Sequence, residues 1–181
     1  YDSASNSCGC ATGYFPAHLR RLGHRATGTE YTINYRRFAE HFYGLPVTEE
    51  IEPKHRYDLI SVYHVLEHMV EPDKKLTQYV NLLKDDGRIF VATPEWFDTL
   101  EEAANGLVNS FDHLFHKNHI NVFSKQGIMN LFHKCGLVVE KEDHVIYGQQ
   151  YLLRKMRPNE KDSFPLVVEP WEEQQEKLLK T

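Results

Sequence analysis

Cysteine is scarce: the chain has three, an odd count that argues against a disulfide framework and for a reducing compartment. Long apolar runs are missing as well, and nothing approaches the roughly 20 residues needed to cross a membrane. No leader pattern of a basic start and an apolar middle is visible, so a cytoplasmic protein is expected. Positive charge is not in excess. Against 26 acidic residues stand 21 Lys and Arg, and the net charge of -5 weighs against a nucleic-acid partner, which needs a basic face. There is no internal repeat. What remains is an ordinary globular composition over 181 residues, enough for one domain with its own core.

The most ordered pattern runs from Tyr57 to Pro94. Asp58 precedes Leu59, Ile60 and Val62, a short apolar run that reads as a buried strand. Pro72 then precedes a helical stretch in which Leu76, Tyr79, Val80 and Leu83 recur at helical spacing. Asp85-Asp86-Gly87 is turn chemistry, and Arg88 to Ala92 is a second apolar strand ending at Pro94. Two continuous apolar strands joined by a helix imply a parallel βαβ unit covered on both faces. Ligands of such sheets bind beyond the carboxyl ends of the strands. That rule sets His64, Val65, Glu67 and His68 at one edge of a crevice, with Thr93, Glu95 and Trp96 at another. An imidazole at His64 suits general-base work. The competing reading is that HVLEH simply starts the next helical segment, with Glu67 and His68 hydrogen-bonded locally.

Upstream, Ser7 to Phe15 reads S-C-G-C-A-T-G-Y-F, and Ala17, Leu19 and Leu22 begin a helix. A glycine-rich turn entering a helix lets backbone approach a ligand and points free N–H groups at it. Gly23 to Glu30 reads as the next strand. An acid about 20 residues after such a loop accepts hydrogen bonds from ribose hydroxyls, and Glu30 is placed for that; otherwise it is an ordinary solvent-facing glutamate. Asn34 to Tyr43 is a helix with Arg36, Arg37 and Glu40 on its wet side, Phe38 and Phe42 inward, and Gly44 as its cap. Leu45-Pro46-Val47 is a short third strand. Cys8-x-Cys10 can be read as half a metal site, but no second cysteine pair accompanies it.

Farther on, Asp112, His113, His116 and His119 make the densest titratable cluster. Steps of three residues drift around a helix, so the histidines would not converge on zinc without a bend. Ser124 is a good N-cap for a helix over 125–134, striped by Ile128, Leu131 and Phe132 and ended by Cys135-Gly136. Leu137 to Glu140 and Tyr147 to Lys155 read as the last two strands. Arg157 to Pro170 reads as a tail or linker, and Trp171 to Lys180 as a short amphipathic helix.

HVLEH after an apolar strand, then a proline, a helix, a D-G turn and a strand ending in T-P resembles the class I S-adenosylmethionine-dependent methyltransferases. The likeness is to the small-molecule branch that includes the ubiquinone-pathway O-methyltransferases. The resemblance implies an α/β, Rossmann-like, mostly parallel seven-stranded sheet with helices on both faces, spanning 1–156, with a tail over 157–181. It implies S-adenosylmethionine as cofactor and a small-molecule methyl acceptor; from the histidine and cysteine spacing, no metal is expected. In the family a loop of an acid, a spacer and G-C-G/A-T-G wraps the amino-acid end of the cofactor. Gly9, Cys10, Ala11, Thr12 and Gly13 match that loop. By the same likeness Glu30 and Tyr31 would hold the ribose, Glu50 and Ile51 the adenine, and Tyr63, His64 and Val65 would border the cofactor. Relatives carry an aspartate-histidine and a second histidine before F-S, so Asp112, His113 and His116 are expected on the acceptor side. His64 and His113 are the candidate bases, and His119 is expected to be structural. One departure stands out: the family's first strand is apolar and ends in an acid, whereas Tyr1 to Ser7 is polar, with Ser7 in the acid's place. The first strand is therefore expected to be truncated or altered, or the domain to bind its cofactor poorly. The rival functions are accordingly a degenerate regulatory or scaffolding domain, and a histidine-ligated metal hydrolase.

Overall fold

The computed structural model describes residues 3–94, 117–145 and 148–163. In chain order these build β1 (Ala4–Cys8), α1 (Tyr14–Arg21), β2 (Arg25–Thr29), α2 (Ile33–Tyr43), β3 (Val47–Thr48) and β4 (Tyr57–Tyr63). Then come a 3-10 turn (Leu66–His68), α3 (Pro72–Leu82), β5 (Leu83–Thr93), α4 (Lys125–Lys134), β6 (Leu137–Val145), β7 (Gly148–Lys155) and a second 3-10 segment (Pro158–Ser163). The strands form one seven-stranded sheet in the order β3-β2-β1-β4-β5-β7-β6. Every pair from β3 to β5 is parallel, and β7 runs antiparallel to both its neighbours. This is the expected Rossmann-like sheet flanked by helices. The chain winds outward from β1 to β3 and then returns to β4, so the topological switch point lies between β1 and β4.

A strand forms before the glycine loop despite its polar composition. Ala4–Cys8 is that strand, hydrogen-bonded to β2 on one side and β4 on the other. Two of its polar side chains, Asn6 and Ser7, are accommodated by neighbours of matching chemistry. The Ser61 hydroxyl donates to Ser7 Oγ at 3.0 Å, and the Thr27 hydroxyl donates to Asn6 Oδ1 at 2.9 Å. Asp58 Oδ2 accepts the N–H of Ala4 at 2.7 Å, pinning the start of the strand. Cys8 joins the main core with Ile60, Val62, Leu76, Ile89 and Val91. Cross-strand partners override a low intrinsic β-propensity here.

Two expectations are corrected. Phe38 and Phe42 do not face inward; they lie exposed, stacked with ring centroids 4.3 Å apart, and Ala39 is the buried residue of α2. The reason is close approach. A side chain on Gly13 would sit 2.7 Å from Ala39 Cβ, so only a small residue of α2 fits against the loop. Asp85-Asp86-Gly87 is not a turn between helix and strand. The register passes from Tyr57–Leu83 to Leu59–Arg88, so residues 84–87 bulge out of β5, and Leu83 opens that strand instead of closing the helix.

Elsewhere local chemistry and structure agree. Pro72 occupies the first turn of α3, whose Leu76, Tyr79 and Leu82 are buried. Ser124 Oγ accepts the N–H of Gly127 at 3.1 Å and caps α4, which buries Ile128 and Phe132. The stretch expected as a tail starts with a docked piece: Arg154 grips Glu160 of the 158–163 segment through Nη1 and Nη2, at 2.7 and 2.8 Å. Trp171 to Lys180 lies outside the described residues.

Candidate active site

The carboxyl ends of β1 and β4 meet at the switch point, where the backbone turns sharply. Gly9, Ala11 and Gly13 of the glycine loop have φ of 61°, 47° and 81°, and His64 just after β4 has φ of 51°. Positive φ is costly for Ala11 and His64, and such strain concentrates where a site is built. Gly9 is dictated by space as well. A Cβ there would lie 2.4 Å from Val65 Cγ2, so the two strand ends approach too closely for any side chain. Gly13 is buried against Ala39 and Leu45 and shapes the entry to α1.

Glu30 follows β2 and fastens this loop. Its carboxylate accepts the N–H of Ala11 at 2.9 Å and that of Thr32 at 2.8 Å. A cavity of about 870 Å³ opens beside it. Gly9, Glu30, Tyr31, Glu50, Ile51, His64 and Val65, all expected from the sequence, line this cavity together. Ile51 is 4% exposed and forms a fixed apolar wall, whereas Glu50 pairs with Lys75 Nζ at 3.1 Å. A second cavity of about 430 Å³ shares Gly9 and is lined by Cys10, Ala11, Thr12 and Tyr63. Tyr14, Phe15 and Phe90 line it too, as do Ser7 and Ser61, with Tyr63 stacked over Phe90 at 6.3 Å. Burial, then Glu30, push the Cys10 thiol up to about 12, and burial likewise raises that of Cys8; both stay protonated near neutrality.

Several lining residues were not anticipated. Tyr79 belongs to the apolar stripe of α3, which reads as core, and Lys75 on the same helix reads as solvated surface. Lys117 and Asn118 lie on a connection with no periodicity to mark them. Asp112, His113 and His116 fall outside the described residues.

The HVLEH segment is more tightly wired than a helix start requires. Glu67 is 1% exposed, and its Oε1 lies 3.1 Å from His64 Nδ1. The Thr93 hydroxyl donates to Oε2 at 3.4 Å, and the Glu67 carbonyl accepts the N–H groups of Ile120 and Asn121, both at 3.0 Å. His68 Nδ1 lies 2.7 Å from the Asn118 carbonyl, and its ring meets that of His119 at 4.8 Å. Ligand-type atoms of Glu67, His68 and His119 fall within 4.8 Å of one another. The two carboxylate oxygens of Glu67 also face His64 and Thr93, one each.

The fold and this site define a class of nucleotide-cofactor enzyme, and comparison with known proteins names it. A family model described as a methyltransferase domain matches residues 7–142. The chain belongs to that methyltransferase family, and its cofactor is S-adenosylmethionine. A chain of the complex between the Haloferax volcanii Trm112 methyltransferase activator and a methyltransferase is similar at TM-score 0.69 and 13% identity, covering 84% of this chain and 82% of that one. A protein from Pyrococcus horikoshii OT3 superposes at TM-score 0.67 with 14% identity, over 86% and 82% of the two chains. An S-adenosylmethionine-dependent methyltransferase from Clostridium acetobutylicum ATCC 824 does so at TM-score 0.65 with 11% identity, over 85% and 84%. No functionally curated protein matches the chain. The residues present fit the cofactor: backbone bare of side chain at Gly9, an acid at the end of β2, and a cavity within the usual size range for such ligands.

Proposed function

We propose that this methyltransferase acts on a small-molecule acceptor, with Glu30 on the cofactor ribose, Ile51 under the adenine and the Gly9–Gly13 loop around the amino-acid end. The observation that carries this reading is the single cavity shared by Gly9, Glu30, Ile51 and His64 at the switch point. Both oxygens of Glu30 keep a further lone pair for a ribose hydroxyl after binding Ala11 and Thr32. The bound cofactor supplies a methyl carbon already made electrophilic by its sulfonium. The protein's share is to align an acceptor atom with that carbon and to take up the acceptor's proton. His64, at the cavity wall, is the base, and the aromatic cavity beyond Gly9 suits a planar or apolar acceptor body. The net charge of -5 supports a small molecule over a nucleic acid. HVLEH supports kinship with the ubiquinone-pathway branch. A degenerate scaffolding role loses its motive, because the polar first strand takes its full place in the sheet.

Replacing Glu30 with Ala is expected to weaken S-adenosylmethionine binding by about 1–3 kcal/mol, the scale for hydrogen bonds to a charged group. The fold should persist. Calorimetric titration measures this, and an unchanged dissociation constant would remove Glu30 from the ribose.

On the acceptor side we assign Asp112, His113 and His116 by their likeness to relatives. His113→Gln should lower turnover far more than cofactor affinity, by about 10²–10⁴-fold if it shares the base role. Normal turnover would leave His64 as the only base.

A further inference from the structure

We propose that Glu67 is a positioning residue for His64: it fixes the imidazole in one orientation and one tautomer, with the proton on Nδ1 and Nε2 as the basic nitrogen. The inference rests on the reading of His64 as the base, and deepens it.

An ionised carboxylate only accepts hydrogen bonds. With Oε1 of Glu67 3.1 Å from His64 Nδ1, the proton between them belongs to Nδ1, and the neutral ring keeps its lone pair on Nε2. The carboxylate itself is held by two other parts of the chain. Thr93, the last residue of β5, donates to Oε2, while Ile120 and Asn121 hold the Glu67 backbone through its carbonyl. Burial to 1% exposure removes water that would otherwise compete for the acid. Among the described residues, His64 is the one ion-pair partner of Glu67.

The histidine is equally constrained. Its backbone sits at φ 51°, its N–H donates to the Ala92 carbonyl at 2.9 Å, and its ring packs edge-on to Tyr63 at 4.7 Å. A residue held in a strained backbone well, with one ring nitrogen committed to a buried acid, is arranged for a directional task. The acceptor's O–H or N–H bond breaks as the proton moves to Nε2. The imidazolium formed then faces the Glu67 carboxylate, which balances its charge in place. Glu67 touches neither cofactor nor acceptor in this scheme; it acts through His64.

The test is the tautomer of His64, read by long-range proton–nitrogen spectra of histidine-labelled protein above neutral pH and assigned with His64→Gln. The wild type should carry its proton on Nδ1. Glu67→Ala should shift the proton toward Nε2, whereas Glu67→Gln, whose amide oxygen can accept the same bond, should retain Nδ1–H. A purely structural acid would move the melting temperature of both variants and leave the tautomer alone. A wild-type His64 protonated on Nε2 would overturn the proposal, and so would an Ala variant with an unchanged tautomer. If the Ala variant does not fold, the wild-type and Gln spectra still decide. Titration of the same wild-type sample with S-adenosylmethionine tests the cofactor reading separately. Failure to bind there would sink that reading while the tautomer result still judged the Glu67–His64 pair.

Discussion

Gly9 lies too close to Val65 for any side chain, and His64, next to Val65, takes a left-handed backbone. Gly9→Ala should therefore be felt first as lost binding. The new methyl meets Val65 at the cavity wall, and φ of 61° costs an L-residue about 1–2 kcal/mol. S-adenosylmethionine affinity should drop by about tenfold or more, with a smaller fall in melting temperature; an unaltered titration would mean that the loop does not shape the site. The glycine loop and Glu30 were legible because their chemistry is local: a backbone that must turn, and an acid a fixed distance down the chain. Glu67 was less so. Its importance comes from Thr93, Ile120 and Asn121, which sequence spacing does not bring to it.

β1 illustrates what an element's own composition can hide. Ala-Ser-Asn-Ser-Cys has no apolar run, yet it lies at the switch point because β2 and β4 supply both ladders and matching hydroxyls. Ser7 and Ser61 share one hydrogen bond with both side chains buried. Truncating either to Ala leaves the other hydroxyl without this partner and should cost about 1 kcal/mol, whereas the double variant should cost less than the two singles combined. Chemical denaturation of the four proteins measures the coupling, and strict additivity would show that the bond contributes nothing. α2 shows the reverse error. Its phenylalanines carry the strongest apolar signal, but Ala39 is the contact that the Gly13 loop has room for. In α4 the signals agree, and Ser124→Ala should cost about 1 kcal/mol of stability through loss of the N-cap.

For the whole molecule, the alternation of strand and helix made the parallel sheet readable. The bulge in β5 was not, because it depends on pairing with β4 some distance back in the chain, and the segment after β7 was not, because a single Arg154–Glu160 pair leaves no periodic signal. Those contacts are partly ionic and give stability a sign with pH. Burial raises the Asp58 carboxyl, but hydrogen bonds from Lys84 and the Ala4 N–H outweigh it and hold the group below its ordinary value. Hydrogen bonds from Arg154, and then the Arg157 N–H, hold Glu160 at about 2. Groups depressed on folding stabilise above their unfolded value and lose that contribution as pH falls through the folded one. The melting temperature should thus decline as pH drops from about 4 toward about 2, and Asp58→Asn should shallow the decline by removing one of the titrating carboxylates. A profile flat across that window would contradict the assignment of these pairs.

We propose that the switch point between β1 and β4 holds S-adenosylmethionine with Glu30 on its ribose. Calorimetric titration of the unaltered protein with S-adenosylmethionine and with its demethylated product tests this most directly. Saturable binding at one site is expected for both, weakened in parallel by Glu30→Ala. No saturable binding, or binding indifferent to Glu30, would contradict it.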